Sequence, residues 1–547
     1  MRGAVGASVR ETIVGALHAL RQSAAANQMR PPRPTIGACI TRKVVTESNL
    51  VPYLTVPELL TRGIDTFGDA RALVTRDGAE SFRELGSHVA GVAVALRRMG
   101  VQPGDRMLLV APNSDATVHV WLGAIVAGVF PAAVNPDLTL PELAYLADDL
   151  DAAAIVAEGT RAQRLGAGLH RRSAELHELG SERASDLEPA ASSALDPAAI
   201  VYTSGTTSRP KGVLVRHAAY TETGVSFPGW VGLTARESLW ACLPLFHINA
   251  QAYTLMTSLA YGYPVAVTER FHARTFWTDA RDLGVTSVNV VGAMVAILAR
   301  QPHESWVPSA LRTLYAAPAP APEERSSLEE RFRVRIVGGY GMSENTFGCI
   351  ENDASRRKPL CIGRPRQPAS GAFTNQLRIV TPEGAEARPG EIGELEFRNA
   401  VMTPGYWNAP DVTERLLAGG WLHTGDAGHA DAAGDVFLDG RYKEMIRRRG
   451  ENISPAEVEQ ALLSHPAVAA AAVFGVPSEL SEEDVAAVVV LVSAASVSEA
   501  ELRDWAARGL APYKVPATIA FRESMPMTPT MRVAKDELRA EYLKERT

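Results

Sequence analysis

Long apolar runs, cysteine and an excess of basic residues are all lacking in this chain of 547 residues. No apolar stretch approaches the roughly 20 residues of a membrane-spanning helix, so a span is not expected. The four cysteines, Cys39, Cys242, Cys349 and Cys361, form no C-x-x-C pair, and a large chain needs no disulfide framework. The sequence therefore predicts a reducing, cytoplasmic setting. The formal net charge of −7 gives no sign of a general nucleic-acid-binding surface.

Strand and helix patterns alternate through the first two thirds of the chain. Residues 107–111 predict an apolar strand, 118–128 an apolar helix and 130–134 a second strand. This order at this spacing indicates βαβ units and a mostly parallel sheet flanked by helices. Apolar strands of the same kind return at residues 265–267, 287–291, 312–315 and 334–337. The Ala-, Ser- and Glu-rich residues 170–197 predict a surface excursion.

After residue 361 the sequence pattern changes. Residues 377–380 and 393–398, with a Pro-Glu-Gly turn after the first run, predict hairpin strands. A helix start is predicted at Ser454, which is followed by proline and then by glutamate three residues after the cap. Further strands and helices follow, so the last hundred residues predict a small separate α+β unit.

Residues 201–213, VYTSGTTSRPKGV, predict a phosphate-binding loop between two strands. Hydroxyl groups, backbone N–H groups and the charge of Lys211 all suit phosphate. A Walker loop is excluded, because Lys211 leads into a strand pattern and not into a helix. The stretch resembles the phosphate loop of the adenylate-forming superfamily, which contains acyl-CoA ligases, carrier-linked adenylation domains and beetle luciferases. Ser208 stands where glycine is commoner in that family.

This resemblance extends from about residue 51 to the C-terminus and implies a domain organisation. Residues 1–50 would be an N-terminal extension, 51–440 a large adenylate-forming domain closed by a β-rich region, and 441–547 a small mobile domain. Lys443 matches the hinge position. The expected fold class is α/β, with mostly parallel sheets in the large domain and an α+β C-terminal domain.

Several motifs match the nucleotide site of the family. The carboxylate of Glu344, in the GGYGMSE motif, would help to hold Mg²⁺, which prefers hard oxygen ligands. Asp426, in the sequence WLHTGD, would accept hydrogen bonds from both ribose hydroxyls of ATP or AMP. If these motifs were absent, Glu344 would be interpreted as a solvent-exposed glutamate and Asp426 as an aspartate in a turn. The other residues that the resemblance places at the nucleotide are Thr203, Ser204, Gly205, Thr206, Thr207, Lys211, Tyr340, Ser343 and Arg441.

The resemblance also places residues at the acid and at coenzyme A. His247, in the sequence LPLFHIN, would lie near the reacting carboxylate, although a core histidine is an equal alternative. The other expected residues of the acyl pocket are Ala316, Ala317, Gly338 and Gly339, whose small side chains leave room for a bulky acid. Gly450, Glu451 and Asn452 match the loop that lines the coenzyme A tunnel, in a form that resembles crotonobetaine- and carnitine-type CoA ligases.

One motif departs from the family. The family ends in a segment close to P-x-T-x-x-G-K, whereas residues 526–532 read PMTPTMR, so Arg532 stands where the catalytic lysine is expected. Lys535 matches the basic residue that trails this motif. Arginine keeps the charge but is planar, forked and bulkier than lysine. The sequence therefore predicts an acyl-CoA ligase that makes the thioester well but makes its own acyl-adenylate weakly or not at all.

Other interpretations remain open at this stage. Arg532 could replace lysine in a complete two-step ligase, and the chain could be a carrier-linked adenylation enzyme or a non-catalytic AMP-binding relative. A ligase that adenylates poorly would need a separate adenylating partner enzyme. The identity of the acid is not readable. Many family members are dimers, but the sequence does not fix the oligomeric state.

Overall fold

The fold was analysed in a computed structural model. It describes residues 53–203, 210–234, 236–351, 357–448, 451–478, 483–492, 495–527 and 533–545, with backbone alone at 451 and 452. None of the described helices is long and apolar enough to cross a bilayer. The proposed N-terminal extension, including a helix predicted at 9–24, falls outside these ranges.

A sheet of thirteen strands forms the centre of the large region. Its strand order is β16-β17-β18-β19-β15-β14-β13-β12-β11-β9-β10-β1-β2. The members are β1 (Arg71–Val74), β2 (Ala79–Ser81), β9 (Leu239–Ala241), β10 (Val265–Val267), β11 (Ser287–Val291), β12 (Thr313–Ala317), β13 (Arg335–Met342), β14 (Asn345–Ile350), β15 (Cys361–Pro365), β16 (Gln376–Val380), β17 (Gly393–Arg398), β18 (Leu422–Ala430) and β19 (Val436–Arg441). Neighbouring strands pair in parallel in the order β1-β10-β9-β11-β12-β13, whereas β2 pairs antiparallel with β1 and all pairs from β13 to β16 are antiparallel. The hairpin strands predicted after residue 361 are present as β16 and β17, although the antiparallel part of the sheet already begins at β14.

Two smaller sheets complete the large region. One is parallel, in the order β4-β3-β5-β6, and consists of β3 (Arg106–Val110), β4 (Phe130–Val134), β5 (Ala154–Ala157) and β6 (Arg172–Glu175). The other is an antiparallel hairpin of β7 (Pro197–Thr203) and β8 (Lys211–Arg216). Residues 172–180 hold strand β6 and a short helix, so the prediction of a plain surface excursion from 170 was wrong there. Leu176 and Leu179 are buried in this segment, which explains why it is ordered.

Helices pack on both sides of these sheets. They are α1 (Val56–Phe67), α2 (Phe82–Arg98), α3 (Asp115–Val126), α4 (Leu140–Asp149), α5 (Thr160–Leu169), α6 (Leu176–Gly180), α7 (His217–Val231), α8 (Met256–Tyr261), α9 (Phe276–Asp282), α10 (Gly292–Ala299), α11 (Pro322–Phe332) and α12 (Pro410–Leu416). A π-helical segment, Asn249–Leu255, leads into α8. Helix α3 is mostly apolar and is buried from Ala116 to Val126, because it lies between α2 and the other elements of the main core.

The C-terminal residues form a three-stranded sheet and three helices. The elements are the hairpin β20 (Ile446–Arg448) and β21 (Glu451–Ile453), the sheet strands β22 (Val468–Pro477), β23 (Glu483–Leu491) and β24 (Thr518–Phe521), and the helices α13 (Pro455–Leu463), α14 (Glu499–Ala506) and α15 (Lys535–Lys544). The predicted cap is present, since the Ser454 hydroxyl accepts the Glu457 N–H at 3.2 Å. The α/β architecture with a smaller C-terminal α+β unit is confirmed.

Candidate active site

A buried carboxylate lies in the turn between β13 and β14. Glu344 is only 6% exposed, and the Tyr406 hydroxyl donates a hydrogen bond of 2.8 Å to its Oε1 atom. The Glu344 carbonyl oxygen accepts the Thr403 N–H at 2.9 Å, so both ends of the residue are fixed by one loop. Burial raises the pKa of Glu344 above its ordinary value, and the Tyr406 hydrogen bond opposes that rise.

The phosphate-loop hairpin brings a cation to the same tyrosine. Thr203, at the end of β7, pairs with Lys211, at the start of β8. Lys211 Nζ lies 5.5 Å from the centroid of the Tyr406 ring, a cation–π distance. Tyr406 therefore contacts both the candidate phosphate-binding lysine and the candidate magnesium ligand. Ser204, Gly205, Thr206 and Thr207 lie outside the described residues.

A second carboxylate lies on β18 and contacts two predicted nucleotide residues. The Tyr340 hydroxyl donates to Asp426 Oδ2 at 2.6 Å, and Arg441 Nε lies 3.1 Å from Asp426 Oδ1. Arg441 also donates from Nη1 to the Thr424 carbonyl at 3.2 Å. Register explains the grouping, because Asp426 and Arg441 are directly paired on β18 and β19. The structure thus brings Tyr340, Asp426 and Arg441 together.

Ser343 and His247 lie in two different turns of the large region. Ser343 is half-buried and directly precedes Glu344 in the turn after β13. His247 is half-buried in a turn just before the π-helical segment, where its backbone N–H donates to the Pro244 carbonyl at 3.0 Å. Its ring lies 4.6 Å from that of Phe246.

The small residues predicted to line the acyl pocket meet at the ends of two parallel strands. Ala316 pairs with Gly338, and Ala317 ends β12. A Cβ atom on Gly338 would lie 2.2 Å from Glu351 Oε2, and one on Gly339 would lie 2.5 Å from Arg366 Nη2. The glycines therefore make room for two charged side chains, and not only for a ligand.

The hinge and the coenzyme A loop are partly described. Lys443 is exposed in a single 3₁₀ turn, Tyr442–Glu444, directly after β19. Glu451 and Asn452 pair through their backbones with Arg448 and Arg447 in the β20–β21 hairpin, whereas Gly450 lies outside the described residues.

The departure at the final motif also lies outside the described residues, at Arg532. The trailing Lys535 is described, and its Nζ atom lies 2.7 Å from Glu459 Oε1 and 3.5 Å from Glu444 Oε2. These ion pairs indicate that Lys535 has a structural role in the C-terminal unit.

Sequence reasoning missed Tyr406 and Arg366. Tyr406 lies 62 positions beyond Glu344, in a loop without a regular pattern, and only folding brings the two side chains together. Arg366 follows β15 and is only 1% exposed, among aromatic rings from three other elements. No local spacing connects either residue to its partners.

Comparison with known proteins gives the family. The model of the AMP-binding enzyme family matches residues 60–407, and the model of the AMP-binding enzyme C-terminal domain matches residues 457–532. The chain belongs to the AMP-binding enzyme family. The predicted resemblance to adenylate-forming enzymes is thereby confirmed, and the two matched regions contain every candidate residue except Asp426, Arg441, Lys443 and the 450–452 loop.

Relatives within the AMP-binding family are CoA ligases. Sulfoacetate–CoA ligase of Cupriavidus necator is 31% identical over 84% of this chain and 92% of its own length. Crotonobetaine/carnitine–CoA ligase of Proteus mirabilis is 28% identical over 84% of this chain and 92% of its own. The solved o-succinylbenzoate CoA synthetase of Bacillus subtilis, in complex with its acyl-adenylate intermediate, is 27% identical and covers 88% of this chain and 97% of its own, with a TM-score of 0.79. The prediction of an acid–thiol ligase that works through an acyl-adenylate is confirmed at this level.

Proposed function

We propose that this AMP-binding enzyme makes CoA thioesters of small carboxylic acids and works mainly in the second, thioester-forming half of the reaction. The observation that carries the ligase assignment is the pair of carboxylate centres, Glu344 with Tyr406 and Lys211, and Asp426 with Tyr340 and Arg441. The relatives named above act on small acids, which supports the same class of substrate here.

In the first half-reaction, an oxygen of the acid attacks the α-phosphorus of ATP, and pyrophosphate leaves. Two anions must approach each other, so positive charge is needed along the phosphates. We assign that part to Lys211 and to the hydroxyl-rich loop 203–207, and we assign the two ribose hydroxyls to Asp426.

Glu344 suits a divalent cation. It is a buried carboxylate whose hydrogen-bond partner, Tyr406, is neutral, and within the described ranges no basic side chain forms an ion pair with it. Mg²⁺ commonly takes one carboxylate together with phosphate oxygens and water. When bound, it would neutralise charge on the transferring phosphates. Tyr406 orients the carboxylate for that contact.

In the second half-reaction, the thiol of coenzyme A attacks the carbonyl carbon of the acyl-adenylate. The thiol loses its proton, AMP leaves with the electron pair, and the thioester forms. We assign His247 to the neighbourhood of this carbonyl group and the 450–452 loop to the coenzyme A tunnel. These parts match the family motif, so the second half needs nothing that the sequence lacks.

The proposed preference for the second half-reaction over the first follows from Arg532. A compact ammonium can bridge the acid and the α-phosphate, whereas a planar guanidinium presents its charge further out and in a fork. A displacement of about 1 Å at a reacting centre can cost on the order of 10²-fold in rate. We therefore infer weak adenylation and a partner enzyme that supplies the acyl-adenylate.

A split assay tests this function. One arm offers ATP, Mg²⁺ and a panel of acids and measures pyrophosphate exchange, and the other offers synthetic acyl-adenylates with coenzyme A and measures thioester. We expect thioester in the second arm and at least about tenfold slower turnover in the first. Equal turnover in both arms would instead identify a complete two-step ligase.

Two further outcomes would contradict the proposal more deeply. Preferential acyl transfer to a carrier-protein thiol, and not to free coenzyme A, would identify a carrier-linked enzyme. Binding of AMP without turnover of any acyl-adenylate would identify a non-catalytic relative.

A further inference from the structure

One histidine and two glutamates lie close together on the paired strands β17 and β18. Glu396 is directly opposite His423 in the register of these strands, and Glu394 lies two positions before Glu396. One potential metal-ligand atom from each of the three side chains lies within 4.8 Å of the other two. None of these residues belongs to the two carboxylate centres of the candidate active site, so their grouping needs a separate explanation.

A backbone carbonyl fixes the tautomer of His423. The Nε2 atom lies 3.2 Å from the Ala418 carbonyl oxygen, and because that oxygen can only accept, Nε2 carries a proton and donates. The lone pair of the neutral ring is therefore on Nδ1. This atom lies 3.1 Å from Glu396 Oε1 and 3.4 Å from Glu394 Oε2, which are acceptors too. A proton or a metal cation among these three atoms would stabilise the arrangement.

The second oxygen of each glutamate is bound from outside the cluster. Glu394 Oε1 accepts the Gly425 N–H at 2.8 Å, and Glu396 Oε2 accepts from Arg378 Nε at 2.7 Å. In protein metal sites, outer contacts of this kind orient the ligands: histidines donate their other ring N–H to a carbonyl, and carboxylates accept hydrogen bonds. All three side chains of the cluster have such a contact.

The distances favour a metal ion over a proton. A hydrogen bond between an imidazolium and a carboxylate is about 2.7–2.9 Å long. His429 Nδ1 and Asp439 Oδ2, 2.7 Å apart on β18 and β19, have that spacing. Both distances from His423 Nδ1 are longer. Ligand atoms that lie about 2.0–2.2 Å from a tetrahedral Zn²⁺ ion are roughly 3.4 Å apart, which is close to the spacing found here.

Exposure and ligand type indicate which ion would bind. The side chains of His423 and Glu394 are 30% and 25% exposed, so an ion can enter from solvent, whereas that of Glu396 is buried. One imidazole nitrogen together with carboxylate oxygens suits Zn²⁺, while Mg²⁺ prefers oxygen ligands alone. Three protein ligands leave the fourth position of a tetrahedral ion to water.

A second cluster of this composition, among the residues that the structure describes, does not have the required geometry. It consists of Glu80, His88 and His119. Its two imidazole rings are stacked, with centroids 4.3 Å apart and planes 5° from parallel. Because a metal ion lies in the plane of each histidine ring that binds it, one ion cannot use both of these rings.

We propose that His423, Glu394 and Glu396 bind one Zn²⁺ ion, which holds β17 and β18 together beside the candidate ribose carboxylate. The ion has a structural role, because Glu394 also fixes the N–H of Gly425, the residue directly before Asp426. This site goes beyond the proposed CoA-ligase function and does not depend on it.

Zinc binding to the purified full chain tests the proposal. The protein is stripped of metal with EDTA and dialysed, and ZnCl₂ is titrated in a calorimeter without nucleotide. Excess Mg²⁺ is present to occupy sites that take oxygen ligands alone. We expect one Zn²⁺ per chain for the wild type. His423→Gln and Glu394→Gln should each weaken binding by at least about 10²-fold, because loss of a ligand costs more than loss of a supporting contact.

His429→Gln is the matched control, since it removes a histidine that is hydrogen-bonded to a carboxylate on the same strand β18. Its zinc affinity should equal that of the wild type. Glu394→Gln keeps an amide oxygen that can accept the Gly425 N–H, so this variant tests the ligand charge while it preserves the local fold. Circular dichroism of every variant in EDTA confirms that each is folded before zinc is added.

The position of the ion provides a second readout. Crystals grown with equimolar ZnCl₂ should show an anomalous peak at the zinc absorption edge, about 2.0–2.2 Å from His423 Nδ1 and from one oxygen of each glutamate.

Three results would overturn the inference. Absence of zinc binding by the wild type would identify His423 as an imidazolium paired with two glutamates. Full zinc affinity in either His423→Gln or Glu394→Gln would remove that residue from the ligand set. An anomalous peak only at other residues would assign the measured binding to a different part of the chain.

Discussion

Tyr406 connects the candidate metal ligand with the candidate phosphate-binding lysine. Its hydroxyl is bound to Glu344, and its ring faces Lys211. The hydroxyl hydrogen bond favours the charged form of the Glu344 carboxyl, against the burial that disfavours it. Tyr406 therefore sets how acidic a solution must be before the candidate metal ligand is protonated.

Tyr406→Phe should move the acidic limb of activity to higher pH. The charged form of Glu344 is the one that binds a cation, so activity falls as pH drops through its raised pKa. Loss of the hydroxyl removes a hydrogen bond to the carboxylate and raises that pKa further. The measurement is the pH profile of kcat/KM, which reports groups of the free enzyme.

Tyr263→Phe is the matched control for this prediction. Tyr263 donates its hydroxyl to the Thr234 carbonyl at 2.6 Å, and neither residue belongs to the two carboxylate centres, so its loss should leave the pH profile in place. An unchanged acidic limb in Tyr406→Phe would show that protonation of Glu344 does not limit activity.

Single residues also show what sequence reasoning could and could not predict. The motif residues Tyr340, Asp426 and Arg441 were predicted, because each lies in a local pattern and the strands then bring them together. Arg366 was not predicted, because the two tyrosines that accept its hydrogen bonds lie 113 and 51 positions away along the chain. Contacts between such distant positions leave no periodic pattern in the sequence. Functional residues that share one short motif can be predicted from the sequence, whereas the surroundings of a residue such as Arg366, which come from several elements, cannot.

At the scale of elements, the hairpin β7–β8 and the strands of the large sheet follow the predicted pattern closely. Apolar runs bounded by turns fix these strands, and the capping residues Ser454 and Ser498 fix the starts of α13 and α14. Residues 172–180 escaped prediction because strand β6 carries few apolar residues and is ordered by its parallel pairing with β5.

The start of α7 contains a buried histidine that joins two helices. The Val56 N–H, at the start of α1, donates to His217 Nδ1 at 3.2 Å, and His217 is 3% exposed. Burial lowers the pKa of His217 to about 4, although the charges of Asp196 and Glu58 oppose the shift. The neutral ring is the form that accepts this hydrogen bond.

Stability should consequently fall as pH drops from about 6.5 to about 4. In that window the unfolded chain binds a proton at His217 that the folded protein does not, so protonation favours unfolding. The full loss is on the order of 3 kcal/mol. His217→Gln keeps an acceptor for the Val56 N–H without titrating, and it should flatten the pH dependence of the urea midpoint between those limits.

The exposed His303 supplies the control for this experiment. His303→Gln makes the same substitution at an exposed position and should leave the slope of stability against pH as in the wild type. A His217→Gln variant with the wild-type slope would contradict the assignment of the acid sensitivity to α7.

For the whole molecule, we propose that the relation between the large region and the C-terminal unit decides which half-reaction can occur. The two are linked here by Ser454 Oγ, which donates to the Asp439 carbonyl, and by Arg300 Nη2, which donates to the Ala469 carbonyl at 2.5 Å. A rotation of the C-terminal unit about the hinge position expected at Lys443 would keep the first contact, which is near the hinge, and would break the second. The effect of such a movement on adenylation depends on the side chain at position 532.

Arg532→Lys should restore adenylation if the arginine is the cause of its weakness. We expect pyrophosphate exchange to rise by at least about tenfold, because the compact ammonium regains the position between acid and α-phosphate. Thioester formation from synthetic acyl-adenylates should stay unchanged, since that step does not use this residue. Lys535→Arg is the matched control and should leave exchange unaltered, because Lys535 is held by Glu459 and Glu444. Strong exchange in the wild-type enzyme that Arg532→Lys does not increase would show that arginine is a working replacement and that both halves of the reaction belong to this chain.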